Sequence, residues 1–146
     1  MLDEAYAGRV DGRWHRLPVR VYYEDTDFSG VVYHANFLRY FERGRSDFLR
    51  VVGIGHASLL TLTPPLAFAV MAMNVSFKKP AKIDDSLVVN TLYESISGAR
   101  LMINQTITRD GALLAEASVE ACCIGLDGRP RRAPKELLER FGPLLA

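Results

Sequence analysis

The chain reads as an α+β domain, with an antiparallel sheet of about five strands wrapped around one long helix. Three observations carry that reading. A helical period runs from Asn36 to Val52, strand-like segments fill Leu66 to Leu126, and mostly tight, glycine-bearing turns separate those segments.

In chain order, residues 1–14 hold Gly8 and Gly12 and no sustained period, so they read as a loose lead-in to a single domain spanning 1–146. Leu17–Tyr23 is rich in Val and Tyr and predicts a first strand, with Pro18 tolerated near its start. In the helix, Phe37, Phe41, Gly44, Phe48 and Val52 form one stripe, and Arg39, Glu42, Arg43, Arg45, Asp47 and Arg50 form a charged back. Gly44 inside that stripe predicts close packing against the sheet, because an interior glycine otherwise costs up to ~1 kcal/mol against alanine. Gly53 and Gly55 end the helix, and Ala57–Leu62 predicts a short second helix or lid stopped by Pro64 and Pro65.

Leu66–Lys78 alternates, which predicts a strand with Ala69, Met71, Met73, Val75 and Phe77 on one face. Leu87–Ser97 and Leu101–Arg109 flank a hairpin at Gly98, and Asp110-Gly111 turns the chain into Leu113–Ile124. That last strand sets Ala117, Val119, Ala121 and Cys123 against Glu116, Ser118 and Glu120. Pro134 then opens a short helix, Lys135–Phe141. A helix that is apolar over so broad a face needs the sheet to curve around it.

Composition narrows the function. A net charge of +1 over 146 residues gives no reason to expect a nucleic-acid partner. The N-terminal residues carry Asp3 and Glu4 without an apolar core, and no apolar run reaches the ~18–20 residues of a membrane span, so a cytoplasmic protein is expected. The two cysteines, Cys122 and Cys123, are adjacent and would face opposite sides of a strand, so neither a disulfide nor a shared metal is expected. His15, His34 and His56 lack zinc spacing, so no metal site is expected.

The chemistry concentrates in Tyr23–Asn36, a strand end, an acidic turn, a glycine and a helix start. Asp27 lies in that connection, three residues before Gly30, which can turn the backbone sharply beneath a ligand. Asp27 is either a turn-capping residue or a carboxylate aimed at a carbonyl. Asp25 is expected to hold the loop through backbone N–H groups. At His34 the backbone N–H, among the first four of the helix, is a better candidate than the ring for polarising a carbonyl. Phe28, Tyr33 and Asn36 border the same segment as candidate substrate-binding residues, against a packing or capping alternative. Lys78 and Lys79, with the Arg129–Arg132 segment, are either solvated charge or anion contacts. No phosphate-binding loop, dinucleotide fingerprint or serine elbow is present.

Val19–Asp27, continuing through Gly30-Val31-Val32-Tyr33-His34, resembles the 4-hydroxybenzoyl-CoA thioesterase family, and within it the YbgC-like branch associated with the Tol-Pal system. Tyr40–Arg45, Lys79–Asp85 and Arg131–Pro134 share the resemblance, which spans roughly residues 17–136. The resemblance implies a hotdog fold and hydrolysis of acyl-CoA thioesters without a metal or redox cofactor. It implies dimers, often tetramers, with active sites at the dimer interface. It places the catalytic carboxylate on Asp27, the carbonyl-polarising amide on His34 and the family glycine on Gly30. Phe28 departs from the small residues of close members and is expected to reshape the acyl slot. Lys78, Lys79, Arg131 and Arg132 are candidates for the CoA phosphates. The competing reading is a module that docks acyl-carrier protein or an envelope partner, and a hotdog dehydratase lacks its pattern here.

Overall fold

Six strands, rather than five, form one antiparallel sheet in the computed structural model, which describes residues 5–146. They are β1 (Arg9–Asp11), β2 (Trp14–Arg20), β3 (Leu66–Phe77), β4 (Ser86–Ser97), β5 (Arg100–Arg109) and β6 (Ala112–Gly125), in the order β1-β2-β4-β5-β6-β3. The helices are α1 (His34–Val51), α2 (His56–Leu60) and α3 (Lys135–Phe141).

The additional strand lies in what the sequence presents as a loose lead-in. β1 pairs with β2 across a turn in which Gly12 takes φ +66°, and three residues with one apolar side chain are too few to show an alternation. Residues 1–4 of that lead-in fall outside the described residues. The first long strand also begins earlier than Leu17 and ends at Arg20, because Tyr23–Asp25 winds into a single 3-10 turn.

The face assignment of β3 needs a second correction. Its register against β6 slips between Val70 and Ala72, a bulge with Met71 as the extra residue. Phe68 and Val70 stand opposite the inward Cys123 and Ala121, whereas Met73, Val75 and Phe77 stand opposite Val119, Ala117 and Ala115. Ala69 and Met71 therefore do not share the face of Met73, Val75 and Phe77, since one inserted residue inverts a period of two. β6 keeps its predicted alternation from Glu116 to Cys123, while at its start the adjacent Leu114 and Ala115 are both buried and the register against β5 shifts.

The core lies between α1 and the concave face of the sheet. Phe37, Tyr40, Phe41, Phe48 and Leu49 of α1 are buried there against Leu87, Val89, Tyr93, Ile103, Ile107 and Val119. Gly44 marks the closest approach. A Cβ at that position would come within 2.7 Å of Val89 Cγ1 and 2.8 Å of Thr91 Oγ1. Beside it, Gln105 Nε2 donates to the Phe41 carbonyl at 2.8 Å and to Thr91 Oγ1 at 2.9 Å, so a polar pair inside the core is satisfied.

Asp47 is the member of the charged back that the fold turns inward. It is buried, accepts from His15 Nε2 at 2.7 Å and from the Gly8 amide at 2.8 Å, and pairs with Arg50 at 3.1 Å. Its carboxylate ties the N-terminal hairpin to the helix.

Gly44→Ala is expected to lower the unfolding free energy by about 1–3 kcal/mol, because the overpacking against Val89 and Thr91 outweighs the helix preference gained. Urea denaturation of the two proteins measures it.

Candidate active site

The segment between β2 and α1 is a short hydrogen-bonded loop rather than a free connection. Thr26 pairs with Val32, the Asp27 amide donates to the Val31 carbonyl at 2.8 Å, and the Gly30 amide donates to the Asp27 carbonyl at 3.0 Å. Gly30 closes that turn with φ +83°, a conformation that a side chain would strain, and open space lies where its Cβ would be.

Asp25 and Asn36 fasten the loop from beneath. The Asp25 carboxylate accepts the Tyr22 amide at 2.8 Å. Its carbonyl accepts the Tyr33 amide at 3.0 Å and Asn36 Nδ2 at 2.8 Å. Both residues are buried. Asp25 thus holds the loop as its sequence position predicts, while Asn36 is occupied inside the fold instead of bordering the open side.

Asp27 is exposed, and Ser29 donates to its Oδ1 twice, from the amide at 2.8 Å and from the hydroxyl at 2.6 Å. These bonds favour the ionised form and hold the carboxyl below the usual carboxylate range. Oδ2 has no protein donor among the described residues and faces outward.

On the other arm of the loop, α1 begins at His34. The Tyr33 amide is bonded to Asp25 and the Asn36 amide to the Tyr33 carbonyl. The His34 and Ala35 amides have no acceptor among the described residues, so they form the free positive end of an 18-residue helix. The exposed His34 ring packs on Tyr33 at 4.5 Å and edge-on to Phe77 at 6.1 Å, and it makes no hydrogen bond among the described residues. Phe28 projects fully into solvent, and Tyr33 is about half exposed.

The candidate cations divide into two groups. Lys78 and Lys79 follow Phe77, so they stand near the His34 end of α1, and Lys78 lies 3.8 Å from Glu116. Arg131 packs over Gly125, at the far end of the β3–β6 ladder, where Leu66 pairs with Gly125. The ladder runs the length of β3, so about 36 Å separates the two groups within one chain. The fold adds Lys82, which the sequence candidates omit. Val31 pairs with Lys82 beside the Asp27 loop, and its sequence signals are its place as third lysine of the Lys78–Lys82 run and within the Lys79–Asp85 resemblance.

The arrangement combines an ionised carboxylate, unpaired helix-start amides and nearby lysines, which can bind a carbonyl, attack it and hold an anionic tail. The model of the thioesterase-like superfamily matches residues 21–141. An acyl-CoA thioesterase, YbgC, of Haemophilus influenzae is 40% identical over 126 residues, covering 86% of this chain and 92% of that protein. The acyl-CoA thioester hydrolase YbgC of Escherichia coli O157:H7 is 40% identical over 128 residues, covering 86% of this chain and 94% of that one. The crystal structure of a probable thioesterase from Bartonella henselae superposes with a TM-score of 0.81 at 43% identity, covering 83% of this chain and 99% of that one.

Removing the hydroxyl in Ser29→Ala should raise the Asp27 pKa toward the ordinary 3.8, because one donor to the ionised form is lost. A side-chain carboxyl 13C titration reads both midpoints, with that of the unaltered protein lying lower.

Proposed function

This chain belongs to the thioesterase-like superfamily, and from that premise we propose that it cleaves acyl-CoA thioesters to the free acid and CoA at Asp27. The single observation that carries the residue assignment is the loop geometry. An outward carboxylate and an unpaired helix-start amide occupy the two arms of one hydrogen-bonded turn.

The thioester carbonyl accepts from the His34 N–H, where the helix dipole favours the charge that develops on oxygen. Asp27 then acts in one of two ways. As a general base it takes a proton from water, whose oxygen attacks the thioester carbon, and the tetrahedral intermediate expels CoA thiolate. As a nucleophile its oxygen attacks the same carbon, CoA thiolate leaves, and water hydrolyses the resulting mixed anhydride. In both routes the thiolate ends protonated and no redox step occurs. The Ser29 hydrogen bonds favour the ionised form of Asp27, which both routes require.

Lys78, Lys79 and Lys82 serve the phosphates of CoA beside this loop. The oligomer forms through β3. It is an edge strand of twelve residues, paired on one side only and carrying exposed Val70 and Met71, and a second copy in antiparallel register would cover it. Cys122 and Cys123 are both free thiols, in keeping with a reducing cytoplasm, and among the described residues no helix is long and apolar enough to cross a membrane.

Asp27→Asn is expected to lower kcat on acyl-CoA substrates by at least about 100-fold with an unchanged circular dichroism spectrum, and retention of most activity would remove Asp27 from catalysis. Single-turnover hydrolysis in 18O water tests the nucleophilic route. Label in the Asp27 carboxylate excludes the simple general-base route and marks water attack at the Asp27 carbon of an anhydride. Sedimentation velocity is expected to give a dimer or tetramer, with the monomer as the opposing outcome.

A further inference from the structure

We propose that the acyl tail of a substrate cleaved at one protomer's Asp27 is seated in a cavity of the partner subunit, where Arg45 selects short acyl groups that end in a carboxylate. This rests on the thioesterase reading above and on the pairing of two β3 edges.

A cavity of about 130 Å³ lies between α1 and the sheet, beside the free edge of β3. Leu49, Phe68, Val70, Leu101 and Ile103 supply its apolar wall, and Arg45 reaches it from α1. The guanidinium is half-buried, and its recorded partner is neutral. Nη1 donates to Gln105 Oε1 at 3.0 Å, and Arg45 takes part in no ion pair among the described residues.

The other polar groups of the wall are already engaged with one another. Ser46 donates to Glu42, one turn earlier on the helix, and lies 2.9 Å from His56 Nε2. Ser46 has one proton, so the His56 N–H is the donor in that second contact. Arg45 is left as the wall's charged donor with N–H groups to spare. Its fork fits a carboxylate, and an apolar pocket strengthens the pair. Glu42 also borders the cavity and its charge acts on Arg45, but it is exposed, accepts from Ser46 and forms no ion pair with the guanidinium among the described residues.

One protomer cannot place both ends of a short substrate. His34 and Arg45 are about 16 Å apart along the helix, whereas the thioester carbon and the carboxylate carbon of a succinyl group are about 4 Å apart. Two copies resolve the mismatch. His34 packs against Phe77 at one end of β3, and His56, which Ser46 holds, packs against Phe68 at 5.9 Å near the other end. Antiparallel pairing of β3 with its copy along its full length sets Phe77 of one protomer opposite the partner's Leu66. The Asp27 loop of one then stands at the mouth of the partner's cavity. The volume agrees with a small tail, since a cavity of about 150 Å³ takes a molecule the size of benzene.

The test compares kcat/KM for succinyl-CoA and butyryl-CoA, which have the same number of acyl carbons. The unaltered protein is expected to prefer succinyl-CoA about 10-fold or more, and Arg45→Gln to lower that ratio about 10- to 100-fold. A preference for butyryl-CoA, or a ratio unchanged in Arg45→Gln, overturns the carboxylate assignment. Neither result touches the hydrolysis reading, which fails if the unaltered protein turns over neither substrate, whereas turnover kept in Asp27→Asn removes only the assignment of Asp27. If Arg45→Gln does not fold, Arg45→Lys is measured in the same way, and a reduced ratio supports the proposal while an unchanged one overturns it. Mixed dimers test the sharing of the site. Asp27→Asn chains refolded with Arg45→Gln chains should regain about a quarter of the succinyl-CoA turnover, because half of the dimers are mixed and each has one intact site of two. Turnover no higher than the average of the separate variants places both residues in one protomer and overturns the shared cavity.

Discussion

The approach of α1 to the sheet at Gly44 is the constraint on which the rest of the molecule depends. With no side chain there, the helix backbone comes close enough for Gln105 of β5 to bond the Phe41 carbonyl from across the interface. A helix held by apolar contacts alone could slide along its axis at small cost, since those contacts have little direction. The bond to one particular carbonyl fixes the height of the helix. It therefore fixes where His34 emerges at one end and where Arg45 and Ser46 reach the sheet further along. Gln105 also accepts from Arg45, so the same amide that sets the helix positions the cavity's guanidinium.

From that fixed helix the reactive loop is built by short-range bonds. Asn36 and Tyr33, both at the helix start, bond the Asp25 carbonyl, and Ala81 accepts the Val32 amide from the β3–β4 connection. The loop is thus anchored to the helix below and to the lysine-bearing connection beside it. Asp27 sits at the turn of this frame, oriented by Ser29 and otherwise open. In the proposed reaction, a carboxylate so held loses little further freedom when a substrate arrives, the form of preorganisation that favours attack at a fixed carbonyl. The buried contact of Asp47 with His15 and the Gly8 amide does similar work at the opposite end of α1, where it closes the N-terminal hairpin over the helix.

In the proposed function, the free edge strand is what lets two copies complete a site whose parts one chain holds separately. β3 has at one end the Phe77 contact with His34 and at the other the Phe68 contact with His56, so its two ends serve different jobs. An antiparallel copy exchanges those ends. In the proposed dimer, that exchange sets Arg131 of one copy on the side of Lys78 and Lys79 of the other, two groups of cations that a single chain keeps apart. The bulge at Met71 lies near the middle of this strand and turns Phe68 and Val70 toward the cavity while keeping Met73, Val75 and Phe77 inward.

The sequence by itself determined what depends on local pattern. The period of Phe37, Phe41, Gly44 and Phe48, the alternation of β6 and the glycine turns fixed the helix, the strands and the hairpins, because burial on one face imposes its own spacing. The acidic turn before the helix likewise placed Asp27 and Gly30 in a loop, His34 at the helix start and Asp25 in its loop-holding position. The tertiary structure alone decided what depends on contacts between distant residues. It made a strand of Arg9–Asp11, too short to show a period, and inverted half of β3 through one inserted residue. It turned Asp47 inward because His15 and Gly8, far off in the chain, supply its partners. It drew Asn36 beneath the loop, separated Arg131 from the lysines and brought Lys82 to Val31. Each of these outcomes follows from hydrogen-bond pairing across the sheet or the core, and a window of neighbouring residues does not record which partner such a group will meet.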